Sequence, residues 1–259
     1  GYSLVVFPEA ERSMTNKVKR FHKGAFFLAE KYGLDVLPVY IHGNSEVMPK
    51  NDFMIHDGAI TVKVGQRILK DDLSFGKNYS ERTKKIQQYF RKEFAKTRTE
   101  LEDENYFRNA LFNSFLYKEN EVLQAVKNDF DSNKTHYFNL NKIISPKEKI
   151  LHLSGDFGQT DVLLALNQAE RKITNYTSDP ERRAIAKQNY VAKRRNLNYS
   201  DTLPDGKEFD ILLVSDENWD GNTGDFKRII LFKINKSFRD ERYSMVITQK
   251  EIRVFEKVN

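Results

Sequence analysis

The sequence predicts an α/β protein in two domains, the second built on a doubly wound parallel sheet covered on both faces. Three observations predict it. The chain has 259 residues, room for one large domain or two of about 130. Strand-like and helix-like segments alternate from Lys149 to Val214, the rhythm of strand–helix–strand units. An acidic run, Glu100-Leu101-Glu102-Asp103-Glu104, interrupts a basic helix just before that alternation begins. It sets the boundary between domains 1–103 and 104–259.

In the first domain, Leu4 to Phe7 is a short apolar run stopped by Pro8 and reads as a buried strand entered through Gly1. Ala25, Leu28, Ala29 and Tyr32 share one helix face, and Gly33 ends it. Val36-Leu37-Pro38-Val39-Tyr40-Ile41 is the next strand, irregular or at an edge because of its proline. Ile60 to Val64 alternates like a half-buried strand. Ser80 can cap a helix carrying Ile86, Tyr89, Phe90 and Phe94, with Arg82, Lys84, Lys85, Arg91, Lys92, Lys96 and Arg98 on its polar face.

In the second domain, two aromatic-rich helices are expected near 105–117 and 119–130. Strands follow at Lys149–Leu153, Lys172–Tyr176 and Phe209–Val214, with helices at Thr160–Ala169 and Pro180–Lys193 between them. Proline suits the first turn of the latter helix. Arg228–Ile234 reads as a buried strand or a helix. Tyr243–Thr248 and Glu251–Glu256 form a closing hairpin around Gln249-Lys250.

Composition narrows the function classes. Apolar residues at 39% suffice for a core in each domain, and charged residues at 31% are mixed in sign, which argues against wholesale disorder. No run approaches the roughly 18 apolar residues of a membrane-spanning helix. The absence of cysteine excludes disulfides, thiolate metal sites and cysteine nucleophiles, and fits a reducing cytoplasm. Net charge is +6, which favours anionic partners: phosphate esters, anionic lipid or nucleic acid. No aromatic stacking motif supports nucleic acid. There is no initiator Met and no signal peptide, so the chain is expected to begin inside a fold, as a fragment.

Two constellations carry chemistry. The first is Phe7-Pro8-Glu9-Ala10-Glu11-Arg12-Ser13, followed to Lys23 by a stretch with five basic residues counted from Arg12, one His and no acid. Such a loop after a strand can hold a phosphate through charge-assisted hydrogen bonds, and a helix starting at Gly24 adds backbone N–H donors. On charge alone it can equally be a solvated basic loop.

The spelling adds to that. Phe-Pro-Glu-x-x-Arg-Ser, then Phe21-His22-Lys23-Gly24-Ala25-Phe26, then Val36-Leu37-Pro38-Val39-Tyr40-Ile41-His42-Gly43, resembles the glycerolipid acyltransferases of the lysophosphatidate type over about residues 1–70. The resemblance implies the C-terminal half of an acyltransferase α/β domain. It implies that Glu9 and Arg12 contact the phosphate or glycerol part of a lysophospholipid or glycerol-phosphate acceptor. Ser13, Lys23 and Gly24 would support that pocket, and Pro38 would shape the acyl-donor side, with acyl-CoA or acyl-carrier protein as donor. Two positions depart from the family: Ala10 stands for its glycine and Glu11 for its threonine. The Glu11 carboxylate should weaken an anion site unless it points away. The family's catalytic His-x-x-x-x-Asp is missing. Five residues after His22, His42, His56, His136 and His152 stand Phe27, Val47, Thr61, Asn141 and Phe157. No catalytic residue is therefore assigned, and His22 and His42 are read as structural or solvent-facing.

The second constellation, Lys149 to Gly158, is a strand entering a glycine-containing turn, where a nucleotide-type cofactor sits in a doubly wound fold. Together with Ile173–Asp179 and Phe209–Asp216 it resembles the Rossmann-like S-adenosylmethionine-dependent methyltransferases over about 140–259. The family's cofactor positions have drifted: its acid falls on His152, its three glycines on Ser154, Asp156 and Gly158, its ribose-binding acid on Thr177. Asp216 alone keeps its place. The expectation is a retained fold without cofactor, with a methyltransferase as the alternative. A basic stretch, Arg182 to Arg195, reads as a solvated helix face or a contact for anionic headgroups or RNA.

An acyltransferase half followed by a worn methyltransferase-like domain looks like the cytoplasmic tail of bacterial proteins that carry an exporter-type membrane region upstream. The resemblance implies a location at the inner membrane, peripheral or tethered, with an anionic membrane surface and an upstream transmembrane region as partners. A non-catalytic scaffold at the membrane is the further alternative.

Overall fold

The computed structural model describes residues 3–13, 17–50, 54–222 and 224–258. Gly1 and Tyr2, read as the entry to a strand, and Met14–Asn16, inside the basic stretch, lie outside the described residues. The chain divides into two compact units, Gly1–Asp103 and Glu104–Asn259.

The first unit has helix α1 (Gly24–Lys31), strand β1 (Val39–His42), the single turn α2 (Asn44–Val47), strand β2 (Thr61–Val64) and the long helix α3 (Tyr79–Leu101). β1 and β2 are antiparallel, Val39 facing Val64 and His42 facing Thr61. Phe21, Phe26, Ile68 and Ile86 form the core, with Phe75, Tyr89 and Phe90 packed against it. Gly43 starts α2 at φ 85°, and a Cβ there would stand 2.0 Å from the Ala59 carbonyl oxygen, so only glycine fits.

Four expectations are corrected here. Leu4–Phe7 is not a buried strand: no strand pairing forms, and Val5 and Phe7 are 81% and 71% exposed. An extended segment gains its ladder bonds only beside a second strand, and β1 and β2 take each other. β2 is not half-buried, because α3 packs on β1, burying Tyr40 and His42, while Val62 and Val64 stay open. Asn78, not Ser80, caps α3: its extended backbone lets the side chain accept the N–H groups of Ser80 and Glu81. Arg82 leaves the polar face and is buried, donating to the carbonyls of Leu69, Lys70 and Asp72.

The second unit opens with α4 (Arg108–Asn113) and α5 (Asn120–Ile143). α5 runs a full 24 residues because Tyr137 and Leu140 continue the buried stripe of Val122, Val126 and Phe130 beyond a polar interval. Then come β3 (Lys149–Leu153), α6 (Gln159–Asn167), β4 (Lys172–Tyr176), α7 (Pro180–Lys187), α8 (Tyr190–Arg194), β5 (Leu197–Ser200), β6 (Ile211–Val214), β7 (Arg228–Phe232), β8 (Tyr243–Gln249) and β9 (Ile252–Lys257). The expected single helix over 180–193 breaks at Asn189, whose side chain accepts the Val191 N–H and donates to Ser114. The ambiguous segment at 228 is a strand, buried from Ile229 to Phe232.

The sheet has the order β5-β4-β3-β6-β7-β9-β8. β5, β4, β3, β6 and β7 are parallel; β9 returns antiparallel to β7, and β8 pairs antiparallel with β9. This is a doubly wound, Rossmann-like sheet. The order reverses on either side of β3, so the ends of β3 and β6 border the crevice where such sheets place their sites. One apolar cluster joins α4, α5 and α6 to one face of the sheet. A second, around Trp219, Phe226 and Tyr243, covers the other.

Candidate functional site

In the first unit the described residues of the candidate anion loop are tied down by hydrogen bonds. The Ala10 N–H donates to the Phe7 carbonyl at 3.0 Å, and Ala10 holds φ 59°. This is the position where the resembling family has glycine, and the left-handed backbone supplies the reason. The His22 N–H donates to the Pro8 carbonyl at 2.7 Å, which brings the Phe-Pro-Glu turn to the start of α1. The Glu9 carboxylate accepts the Lys19 N–H at 2.7 Å. Gln87 and Arg91, both on α3, donate to the carbonyls of Lys19 and Val18 and fix the returning limb.

Charge is distributed unevenly over this loop. Glu11 accepts from Lys19 Nζ at 2.6 Å and Lys50 Nζ at 2.5 Å. Those two hydrogen bonds, with the charges behind them, hold its carboxyl down to about 2. Glu11 thus turns onto two lysines and occupies both. Arg12 is exposed and spends one Nη1 hydrogen bond, 3.1 Å long, on the Met48 carbonyl. Ser13 is half-buried, and Lys23 and Gly24 are exposed at the first turn of α1. Glu9, Arg12, Ser13, Lys23 and Gly24 therefore share one loop-to-helix segment. Pro38 belongs to the small sheet: it is buried, accepts the Gly65 N–H at 2.8 Å and packs against that glycine. Lys50 escaped sequence reasoning, because nothing in Met48-Pro49-Lys50 signals a partner 39 residues upstream.

In the second unit the strand ends converge on a cavity of about 450 Å³ lined by Gly155, Asp156, Ser215, Lys233, Asp129 and Glu251, among others. The turn after β3 is satisfied by its own side chains. Asp156 N–H donates to Ser154 Oγ, Phe157 N–H to Gln159 Oε1 and Gly158 N–H to the Asp156 carboxylate, at 3.1, 2.8 and 2.8 Å. Burial works against the charged Asp156 carboxylate, but His152, Lys233 and the Thr160 hydroxyl outweigh it and hold its pKa below the usual value. Thr177 is buried and accepts the Asp179 N–H; Asp216 caps the following turn at Asn218. Lys233 stands at φ 58° just past β7, its ammonium held by Asp129 and Tyr137. Among the described residues no group of three or more His, Asp or Glu side chains could hold a metal ion.

Residues 1–42 match the model of the Acyltransferase family, so this segment is acyltransferase-like. A 1-acyl-sn-glycerol-3-phosphate acyltransferase of Chlamydomonas reinhardtii is 35% identical over 65 residues, 25% of this chain and 20% of that protein. The enzyme of the same name from Cocos nucifera is 34% identical over 70 residues, 27% and 23% of the two chains. The chain thus spans about a fifth of the length of the curated relatives it matches. Among solved structures, a methyltransferase from Geobacter sulfurreducens is 13% identical at TM-score 0.37, covering 57% of this chain and 96% of its own. An O-methyltransferase from Bacillus cereus is 14% identical at TM-score 0.34, covering 55% and 93%.

Proposed function

We propose that the first unit binds the phosphate- or glycerol-bearing acceptor of an acyl transfer, a lysophospholipid or glycerol phosphate, with an acyl thioester as donor. The observation that carries this is the loop around Arg12: its spelling, its match to the Acyltransferase family, and its exposed guanidinium. A guanidinium grips a phosphate through two parallel N–H bonds, which an ammonium cannot copy. Glu9 supports the loop by holding Lys19, and Glu11 lowers its net positive charge.

Titration calorimetry of the chain with glycerol 3-phosphate tests the reading. A charged hydrogen bond is worth about 1.5–3 kcal/mol, so Arg12→Lys should weaken binding by roughly tenfold or more. Arg194→Ala, in the second unit, should change nothing. Equal, small effects of the two substitutions would show that the phosphate site is not at Arg12.

The second unit is proposed to keep the methyltransferase-type sheet without its cofactor. The inward Asp156 carboxylate and the three N–H groups spent inside the turn support this, since they occupy the place where backbone would meet a ligand. The net charge of +6 supports an anionic membrane surface as a partner and a cytoplasmic, membrane-peripheral location. Among the described residues no helix is long and apolar enough to cross a membrane.

A further inference from the structure

The geometry points to a nucleophilic triad in the second unit, Ser215–His152–Asp161, that cleaves small acyl esters. It lies outside the acyltransferase segment and does not depend on the acceptor site proposed above. His152 sits in the middle of β3, wholly buried, in register with Asn175 on β4 and Leu213 on β6. Asp161, wholly buried in the first turn of α6, lies 2.7 Å from His152 Nδ1. Ser215 is the first residue past β6, and its Oγ lies 2.8 Å from His152 Nε2. Three neighbouring elements of the doubly wound fold thus bring together residues 9 and 63 positions apart.

Asn175 Nδ2 donates to Asp161 Oδ2 at 2.6 Å and stands 3.3 Å from His152 Nδ1. With Asp161 ionised, its Oδ1 accepts the Nδ1–H of His152. Nε2 is then a lone pair facing the Ser215 hydroxyl, the arrangement in which an imidazole takes a proton from a serine. Of the three, Ser215 is the residue that lines the cavity, and it is half-buried while His152 and Asp161 are sealed behind it.

The lining states the substrate class. Asp129, Asp156 and Glu251 face one cation, Lys233, which is already paired. That excess of carboxylates favours neutral or cationic acyl esters and disfavours phosphate-bearing ones. In the step, Ser215 Oγ bonds to the ester carbonyl carbon and its proton passes to His152 Nε2. The C–O bond to the alcohol breaks, and the alcohol leaves with that proton. Water then adds to the acyl-serine, again through Nε2, and releases the carboxylic acid. Ester and water become acid and alcohol.

The test uses the whole chain. A fluorophosphonate probe should label Ser215, located by peptide mass spectrometry, and p-nitrophenyl acetate should be hydrolysed; Ser215→Ala should abolish both. Absence of labelling on the natively folded chain, checked by circular dichroism, overturns the proposal whatever the variants do. The chain has no cysteine, so Ser215→Cys introduces one thiol. Its alkylation by iodoacetamide should titrate well below the ordinary value of about 8.5, as a thiolate beside an imidazole does. Titration at the ordinary value, matching Asn218→Cys, would reduce Ser215 to packing and also overturn it. Asp161 acts as a positioning residue, and a pH profile reads its role. The charged groups acting on His152 are Asp161 on α6, Asp156 after β3 and Lys233 after β7, with Tyr199 on β5 next to Asp161. Burial disfavours the charged form of His152, but Asp161's charge and hydrogen bond outweigh this and lift its pKa above the usual value. Labelling should therefore rise with pH as His152 loses its proton, and Asp161→Asn should move that midpoint down and slow labelling at least a hundredfold. An unmoved midpoint would remove Asp161 from the triad.

Discussion

Ala10 shows what one residue costs. Its φ of 59° lies in the left-handed region, where a Cβ costs about 1–2 kcal/mol. Glycine pays back part of this through a freer unfolded chain. Ala10→Gly should therefore stabilise the first unit by about 1 kcal/mol, read as a higher midpoint in urea at unchanged slope. An unchanged or lower midpoint would mean that the Ala10 methyl makes contacts worth more than the strain. Glu11, one residue on, is a second departure with a local consequence: it pairs with Lys19 and Lys50.

At the scale of elements, the end of α3 is tied to β1 by charge. Glu102 accepts Arg98 Nε and Nη2 at 2.6 and 2.7 Å and meets His42 Nε2 at 3.0 Å, all nearly buried. Burial works against the Glu102 carboxylate, but His42 and Arg98 outweigh it and depress its pKa. A depressed acid stabilises the fold above its unfolded value, about 4.3, and loses that contribution as pH falls through its folded value. Glu102→Gln should cost about 1.5–3 kcal/mol at neutral pH. It should also flatten the loss of stability below pH 4, measured by urea titrations across pH. A loss independent of pH would assign the effect to packing. α6 offers a parallel case: Arg171, 1% exposed, reaches the carbonyls of Asn141, Ile144 and Leu164, where α5 and α6 end.

Two expectations belong to the whole molecule. S-adenosylmethionine titrated into the chain should give no binding in the low micromolar range, about −8 kcal/mol, because the turn after β3 is filled by Asp156. A dissociation constant in that range would restore the methyltransferase alternative. The chain's net charge of +6 should bring it down with phosphatidylglycerol vesicles and not with phosphatidylcholine vesicles in sedimentation. Near 1 M salt, where charges are screened beyond about 3 Å, it should be released. Binding that ignores lipid charge and salt would rule out an electrostatic membrane partner.

Legible in the residues alone are the α/β class, most strands and helices of the second unit, and the spelling of the loop around Arg12. These are local: apolar periodicity, a proline or glycine stop, and a short motif are all read within one segment. The short polar strand Leu197–Ser200 went unread because four residues with Asn198 and Ser200 show no apolar period. Leu4–Phe7 was misread because an apolar run cannot report whether a neighbouring strand exists. In sequence His152 reads as a lost cofactor acid, since Asp161 and Ser215 have no visible relation to it. That relation exists only in the folded chain. Parallel pairing of β3 with β6, and α6 returning over the sheet, turn separations of 9 and 63 residues into hydrogen-bond distances. Sequence spacing carries no such distance until register and crossover are fixed.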